Sequence, residues 1–105
     1  MIYHISYDIM SVNMKDRPHR ALTGPQIRAA RALLRWRAED LAQNSAVGVA
    51  TVRRAELSEV ETSMTAANDA AVRRALEAAG VEFIDQNGGG AGVRLRDATP
   101  AKRVT

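Results

Sequence analysis

The sequence predicts a mainly α fold: a small helical bundle that contains a helix-turn-helix and is followed by a C-terminal β-hairpin. Three observations favour this class. A chain of 105 residues has the length of one domain. Apolar residues make up 46% of it but aromatic residues only 4%, so small aliphatic side chains must fill the core between closely packed helices. After Gly80 the apolar spacing changes from a helical period to alternation, which is typical of strands.

We divide the chain into four parts: an N-terminal arm, a helical domain, a hairpin and a tail, at residues 1–20, 21–80, 81–96 and 97–105. The first 20 residues show neither helical nor strand periodicity and close with a breaker at Pro18. The last nine carry no pattern either. We therefore expect both ends to be flexible.

The first helix is expected to begin at Thr23, because Thr23 and Gln26 have the spacing of a capping box and Pro25 lies in the first turn. Its apolar residues recur at spacings of three and four, and arginines occupy the other side. The apolar set is Ile27, Ala30, Leu33, Leu34 and Trp36, and the arginines are Arg28, Arg31 and Arg35. We expect Trp36 to pack in the core rather than contact a partner.

Two short helices with a tight turn between them come next. The first spans residues 38–44 and carries Glu39 and Asp40 in its first turn, where carboxylates favour the helix dipole. The second spans residues 49–57 and follows Gly48, an acceptable N-cap. The apolar residues placed to pack these helices together are Leu41, Ala42, Val47, Val52 and Ala55.

A fourth helix is predicted at about residues 66–79, with Thr65 as its N-cap and Gly80 behind it. Its expected inward residues are Val72, Ala75, Leu76 and Ala79, and its expected outward residues are Arg73, Arg74 and Glu77. An acidic run precedes it, which we interpret as an exposed connector rather than an acid–base pair: Glu56, Glu59 and Glu61.

Two alternating segments, residues 81–85 and 93–96, flank a glycine-rich loop that contains Asn87-Gly88, and this pattern predicts a β-hairpin. A phosphate-binding loop is disfavoured, since no Lys-Ser/Thr pair follows the glycines. An isolated hairpin is marginally stable, so it must pack on the helices or on a second chain.

The charge is concentrated near the N-terminus. The chain carries a net charge of +3, and 13 of its 15 cationic residues are arginine. Residues 1–37 hold seven cations against two anions, whereas residues 38–61 hold five anions against Arg53 and Arg54. A local, arginine-rich basic surface points to a phosphate-bearing partner.

The stretch AEDLAQNSAVGVATVRRAE, residues 38–56, resembles the lambda-repressor-like, Xre-type family of bacterial and phage regulators. The resemblance extends from about Ile27 to Val81. Positions that match in register are Leu41, Ala42, Val47, Thr51, Val52 and Glu56. Two positions depart from the family pattern: Ala38 replaces a phosphate-contacting Gln, and Ala46 replaces a Gly in the turn. If φ is positive at Ala46, that replacement costs about 1 kcal/mol.

The resemblance implies a sequence-specific transcriptional regulator that binds double-stranded DNA by placing the helix at about 49–57 in the major groove. The residues it puts against the bases are Val49, Ala50, Thr51, Arg53 and Arg54. Arg53 or Arg54 would bind a guanine, and Val49 or Ala50 would touch a thymine methyl. The candidates for phosphate contact are Arg28, Arg35 and Arg37. The alternative is that these arginines only form a solvated surface.

No enzyme is expected. His4 and His19 lie in the arm, Cys is absent, and no histidine is placed to activate Ser45 or Ser63, so we expect no catalytic residue, cofactor or metal. The absence of Cys and of long apolar stretches leads us to expect a cytoplasmic protein without membrane segments. We expect a homodimer paired through the 81–96 hairpin. The alternative function is a protein-interaction module, such as an antitoxin or phage accessory protein.

Overall fold

The computed structural model describes residues 21–97 and arranges them as four helices followed by a hairpin. The elements are α1 (Gly24–Leu34), α2 (Ala38–Ser45), α3 (Val49–Glu56), α4 (Ala66–Ala78), β1 (Val81–Ile84) and β2 (Gly92–Leu95). The mainly α class with a C-terminal hairpin is thereby confirmed. The arm predicted for residues 1–20 and the tail beyond Asp97 lie outside the described residues. Within residues 21–97, no helix is long and apolar enough to cross a membrane.

The first turn of α1 is capped as predicted and is also tied to the hairpin. The Gln26 N–H donates to Thr23 Oγ1 at 3.1 Å, and the Thr23 N–H donates to Gln26 Oε1 at 3.0 Å. Gln26 is buried, and its Nε2 donates to the carbonyl oxygen of Gly92 at 3.1 Å. One side chain therefore completes the capping box and fixes α1 against the start of β2.

A single aliphatic core lies between the helices and the hairpin. α1 packs on α3 and on both strands, α2 packs on α3 and α4, and α4 packs on β1. The largest completely buried side chains are Leu22, Ile27, Leu41, Val52, Val72, Leu76 and Val81. Trp36 packs against the rim of this core, as expected. The core draws on every element, so the helices and the hairpin form one unit.

The hairpin is an antiparallel pair in which Val81 faces Leu95 and Phe83 faces Val93. β2 begins at Gly92, one residue earlier than the alternation predicted. Val81 is completely buried, and the hairpin rests on α1 and α4. The expectation that it must pack on another element is confirmed by these helices.

The predicted orientations of Arg73 and Leu33 are wrong. Arg73 is buried rather than outward, because the hairpin folds over α4 and places the Phe83 ring centroid 5.1 Å from its guanidinium carbon. Leu33 is 37% exposed rather than in the core. At about 100° per residue, Leu33 lies about 120° around the helix from Ile27, which is buried with Ala30 in the core.

The start of α1 passes very close to the end of α3 at Gly24. A Cβ atom on Gly24 would lie 1.9 Å from the carbonyl oxygen of Ser58. The Gly24 N–H also donates to the carbonyl oxygen of Val60 at 3.2 Å. Only glycine permits this approach, which holds the segment after α3 against α1.

Candidate nucleic-acid interface

The predicted helix-turn-helix is confirmed as α2, a turn at residues 46–48, and α3. Leu41, Val47 and Val52 are buried where the two helices meet, as is Ala55, and the half-buried Ala42 packs beside them. Ser45 Oγ accepts a hydrogen bond from the Val47 N–H at 3.2 Å within the turn. The geometry of the turn is thus set by side chains that the apolar pattern had singled out and by one buried hydroxyl.

Ala46, which ends α2, adopts the left-handed conformation with φ of 61°. The cost of about 1 kcal/mol expected for alanine at this position therefore applies, because an alanine Cβ is strained in this region whereas glycine is not. The helix-turn-helix keeps this strained alanine at the point that orients α3.

Ala46→Gly is expected to stabilise the protein by about 1 kcal/mol, because it relieves the left-handed strain. Urea unfolding followed by circular dichroism measures the change in the free energy of unfolding. The matched control is Ala29→Gly, at an exposed position within α1, which should destabilise by about 1 kcal/mol. Equal losses in the two variants would show that the turn is not strained.

One stripe of α3 faces away from the core, and we call it the outer face. It consists of Ala50, Arg53, Arg54 and Leu57, all exposed and spaced three and four residues apart. Val49 and Thr51 are half-buried, and Val49 packs against the core. The structure thus brings three of the five predicted base-contacting residues onto one open surface and leaves two at its edge.

The two arginines of the outer face differ in their partners. The Arg53 Nη2 donates to Glu39 Oε2 on α2, and both side chains are about half exposed. Arg54 makes no side-chain hydrogen bond or ion pair within residues 21–97. Arg54 is therefore the cation of this face that is open to a ligand.

The first turn of α2 carries two carboxylates with lowered pKa values. The Arg37 N–H donates to Asp40 Oδ2 at 2.8 Å, which lowers the pKa of Asp40 and closes the N-terminus of the helix. The pKa of Glu39 is lowered by its own backbone N–H and then by Arg53. Both carboxylates are therefore ionised at neutral pH.

The three candidates for phosphate contact lie in different places. Arg28 donates to the carbonyl oxygen of Glu56 and lies 4.0 Å from Glu59, at the C-terminal end of α3. At 1.5 Å per residue this is about 10 Å from the helix start. Arg35 is exposed at the end of α1, without a side-chain partner in the described part of the chain. Arg37 precedes α2 and is 76% exposed, 3.5 Å from Asp40.

An ion pair that the sequence did not reveal fixes α3 to α1. Arg31 Nε donates to Glu56 Oε2 at 2.5 Å, Arg31 Nη2 donates to Glu56 Oε1 at 2.8 Å, and Arg31 Nη1 donates to the carbonyl oxygen of Trp36 at 2.8 Å. Glu56 is buried and Arg31 is only partly exposed, so the predictions that Arg31 lies on the outward side of α1 and that Glu56 belongs to an exposed connector were wrong. Each charge tolerates burial because the other neutralises it, and the contact raises the pKa of Arg31.

Arg31→Met is expected to destabilise the protein by about 3 kcal/mol, because it leaves the Glu56 carboxylate buried without its partner. Adding Glu56→Gln should recover part of that loss, since the second change removes the unpaired charge. Thermal and urea unfolding measure both effects. Arg74→Met, at an exposed position on α4, serves as the control and should change stability by less than about 0.5 kcal/mol. A similar cost for Arg31→Met and Arg74→Met would contradict the assignment.

Two residues of this surface were not among the sequence-predicted contacts. Leu57 continues the outer face and is 78% exposed, although it is apolar. Glu39 reaches Arg53 from the other helix, 14 residues away in sequence. The opposite charges were visible in the sequence, but the distance between them depends on the crossing of α2 and α3.

Searches with protein-family models and against curated proteins find no match to this chain. Function is therefore inferred from the geometry and charge of the helix-turn-helix.

Proposed function

We propose that the protein is a sequence-specific DNA-binding regulator of transcription that reads the major groove with α3. The observation that carries the proposal is the outer face of α3, where two adjacent arginines stand exposed on the second helix of a helix-turn-helix. The resemblance of residues 38–56 to Xre-type regulators supports the same function. Because the proposed ligand is double-stranded DNA, we also propose that the protein is cytoplasmic.

Within this proposal, Arg54 is the principal base-reading residue. A guanidinium presents parallel donors that match the O6 and N7 acceptors of guanine, and Arg54 has no competing partner among residues 21–97. Ala50 lies on the same face and offers a methyl group to a thymine. The half-buried Val49 and Thr51 contribute at the edge of the contact.

We assign the phosphate contacts to Arg35 and Arg37. Both side chains are exposed beside the short connection that leads into α2. Such contacts fix the position of the protein on the duplex without reading its sequence. Arg28 instead supports the C-terminal end of α3, because a cation there satisfies a terminal carbonyl group.

The double variant Arg53→Ala/Arg54→Ala is expected to lose binding to labelled genomic fragments, including the protein's own promoter, while keeping its circular dichroism spectrum. Each bidentate base contact is worth about 1–3 kcal/mol, so affinity should fall at least tenfold. Binding by the unaltered protein should weaken steeply with salt, because each phosphate contact releases counterions.

The matched control is Arg74→Ala, which removes an equally exposed arginine from α4. It should lower affinity only slightly, through the net charge. Equal losses of affinity in the Arg74 and Arg53/Arg54 variants would show that the protein binds DNA through its net positive charge alone. Unchanged affinity in the double variant would contradict the groove assignment.

We propose that two chains pair through the hairpin. The Arg96 N–H donates to the carbonyl oxygen of Gly80 at 2.8 Å, which marks these residues as a hydrogen-bonded pair. Since such pairs alternate along an antiparallel ladder, the backbone groups of Phe83 and Val93 point to the two outer edges of the hairpin. An edge of this kind can join a second copy, and a dimer would read two half-sites.

Sedimentation equilibrium should give the mass of two chains for the unaltered protein. Val93→Pro removes one outward N–H but no hydrogen bond within the hairpin, so it should yield a folded monomer if β2 forms the joint. A monomeric mass for the unaltered protein would contradict pairing of two chains. A dimeric mass for Val93→Pro would show that the outer edge of β2 does not join the chains.

A second candidate, a protein-interaction module such as an antitoxin or phage accessory protein, draws on the segment after α3. Leu57 is 78% exposed and Val60 is 69% exposed. Val60 also borders a cleft of about 460 Å³ between this segment and the hairpin loop. Apolar side chains beside a cleft favour a protein partner. Salt-independent binding to a protein, without affinity for DNA, would favour this function.

A further inference from the structure

The Glu39–Arg53 ion pair crosses the helix-turn-helix at the surface proposed to meet DNA. Glu39 lies in the first turn of α2, beside Arg37, and Arg53 lies on the outer face of α3. Their side chains remain 50% and 56% exposed, so the pair is accessible to an approaching duplex. The pKa of Glu39 is lowered by its own backbone N–H, by Arg53 on α3 and by Arg37, so all three groups favour its ionised form.

An ionised carboxylate at this position opposes DNA binding in two ways. It repels the phosphate groups that Arg37 is proposed to contact. It also engages Arg53 Nη2, so that Arg53 cannot present both of its terminal nitrogens to DNA without leaving Glu39. The neighbouring Arg54 carries no such restraint within residues 21–97. The two adjacent arginines are therefore unequal in the free protein.

We propose that Glu39 is a specificity-determining residue that holds Arg53 away from non-cognate DNA. The inference rests on the proposed function. Phosphates are present on every duplex, and a contact with one of them only replaces the carboxylate that Arg53 already has. A guanine offers two acceptors in the fork geometry of a guanidinium, so a correctly placed guanine compensates for the loss of Glu39 better than a phosphate does. Glu39 thereby lowers affinity for wrong sites more than for right ones.

The test compares Glu39→Gln with the unaltered protein, using a labelled duplex of mixed sequence and the tightest-binding genomic fragment. Glu39→Gln should bind the mixed duplex about 1.5- to fivefold more tightly, the range expected when an exposed ion pair is released. Its affinity for the genomic fragment should change less, so the ratio of the two affinities falls. The slope of log affinity against log salt on the mixed duplex should steepen by about 0.9, for one added phosphate contact.

The matched control is Glu82→Gln on the hairpin. Glu82 accepts from Arg94 at 3.1 Å in a pair of similar exposure, so this variant makes the same change in charge and breaks the same kind of contact. It should raise both affinities only slightly, through the net charge. An equal gain in the two variants would overturn the inference, because net charge alone would then explain it.

A double-mutant cycle separates the role of Arg53 from simple repulsion by Glu39. In an Arg53→Ala background, Glu39→Gln should tighten binding to the mixed duplex much less, because only the relief of phosphate repulsion remains. Circular dichroism verifies that each variant is folded, and Glu39→Ala provides a second removal of the carboxylate. An undiminished gain without Arg53 would overturn the inference while leaving the proposed function standing. Absence of DNA binding by the unaltered protein would overturn both.

Discussion

The bidentate contact between Arg31 and Glu56 is the interaction on which the arrangement of the helices depends. It joins the last turn of α1 to the last residue of α3, and through the Trp36 carbonyl it also fixes the connection into α2. Gly24 and Arg28 approach the same end of α3 from α1. A buried ion pair adds little net stability compared with apolar packing, but it is costly to break and tolerates few alternative geometries. It therefore determines where α3 lies.

α1 fixes the C-terminal end of α3, and the turn at Ala46 fixes the start of α3. The residues of the outer face are therefore not needed to pack α3 against the other helices. The exposed residues of that face are two arginines, an alanine and a leucine. Acidic residues surround them on α2 and in the segment after α3, so positive charge at the face is local rather than general. Such a charge distribution suits the proposed function, in which the protein is attracted to DNA but must dissociate from most DNA sequences.

The sequence predicted most of the fold because its local signals agree with one another. Thr23 with Gln26, Gly48, Thr65 and Gly80 mark helix ends, and the alternation after Gly80 marks the hairpin. The left-handed φ of Ala46 fulfils the condition under which the sequence predicted a cost at this position. These features depend on residues that are close together in the sequence, and a sequence pattern describes only such local relations.

The sequence could not predict contacts between side chains that lie on different helices or strands. Arg31, Glu56 and Arg73 carry charges that indicated exposure to solvent, yet each is buried or partly buried by a partner on another element. A charged residue enters the core only when a specific opposite charge or aromatic ring meets it, and periodicity does not identify that partner. The Glu39–Arg53 pair was missed for the same reason, since it arises from the crossing of α2 and α3.

The central claim is that α3 reads base sequence in the major groove. Selection of bound sites from a pool of random double-stranded DNA tests it most directly, because binding, specificity and half-site spacing are measured together. We predict that the selected pool contains two copies of a short guanine-containing sequence, with centres about 10 base pairs or a multiple of this apart. A bound pool without any enriched sequence, or no bound pool at low salt, would contradict the account.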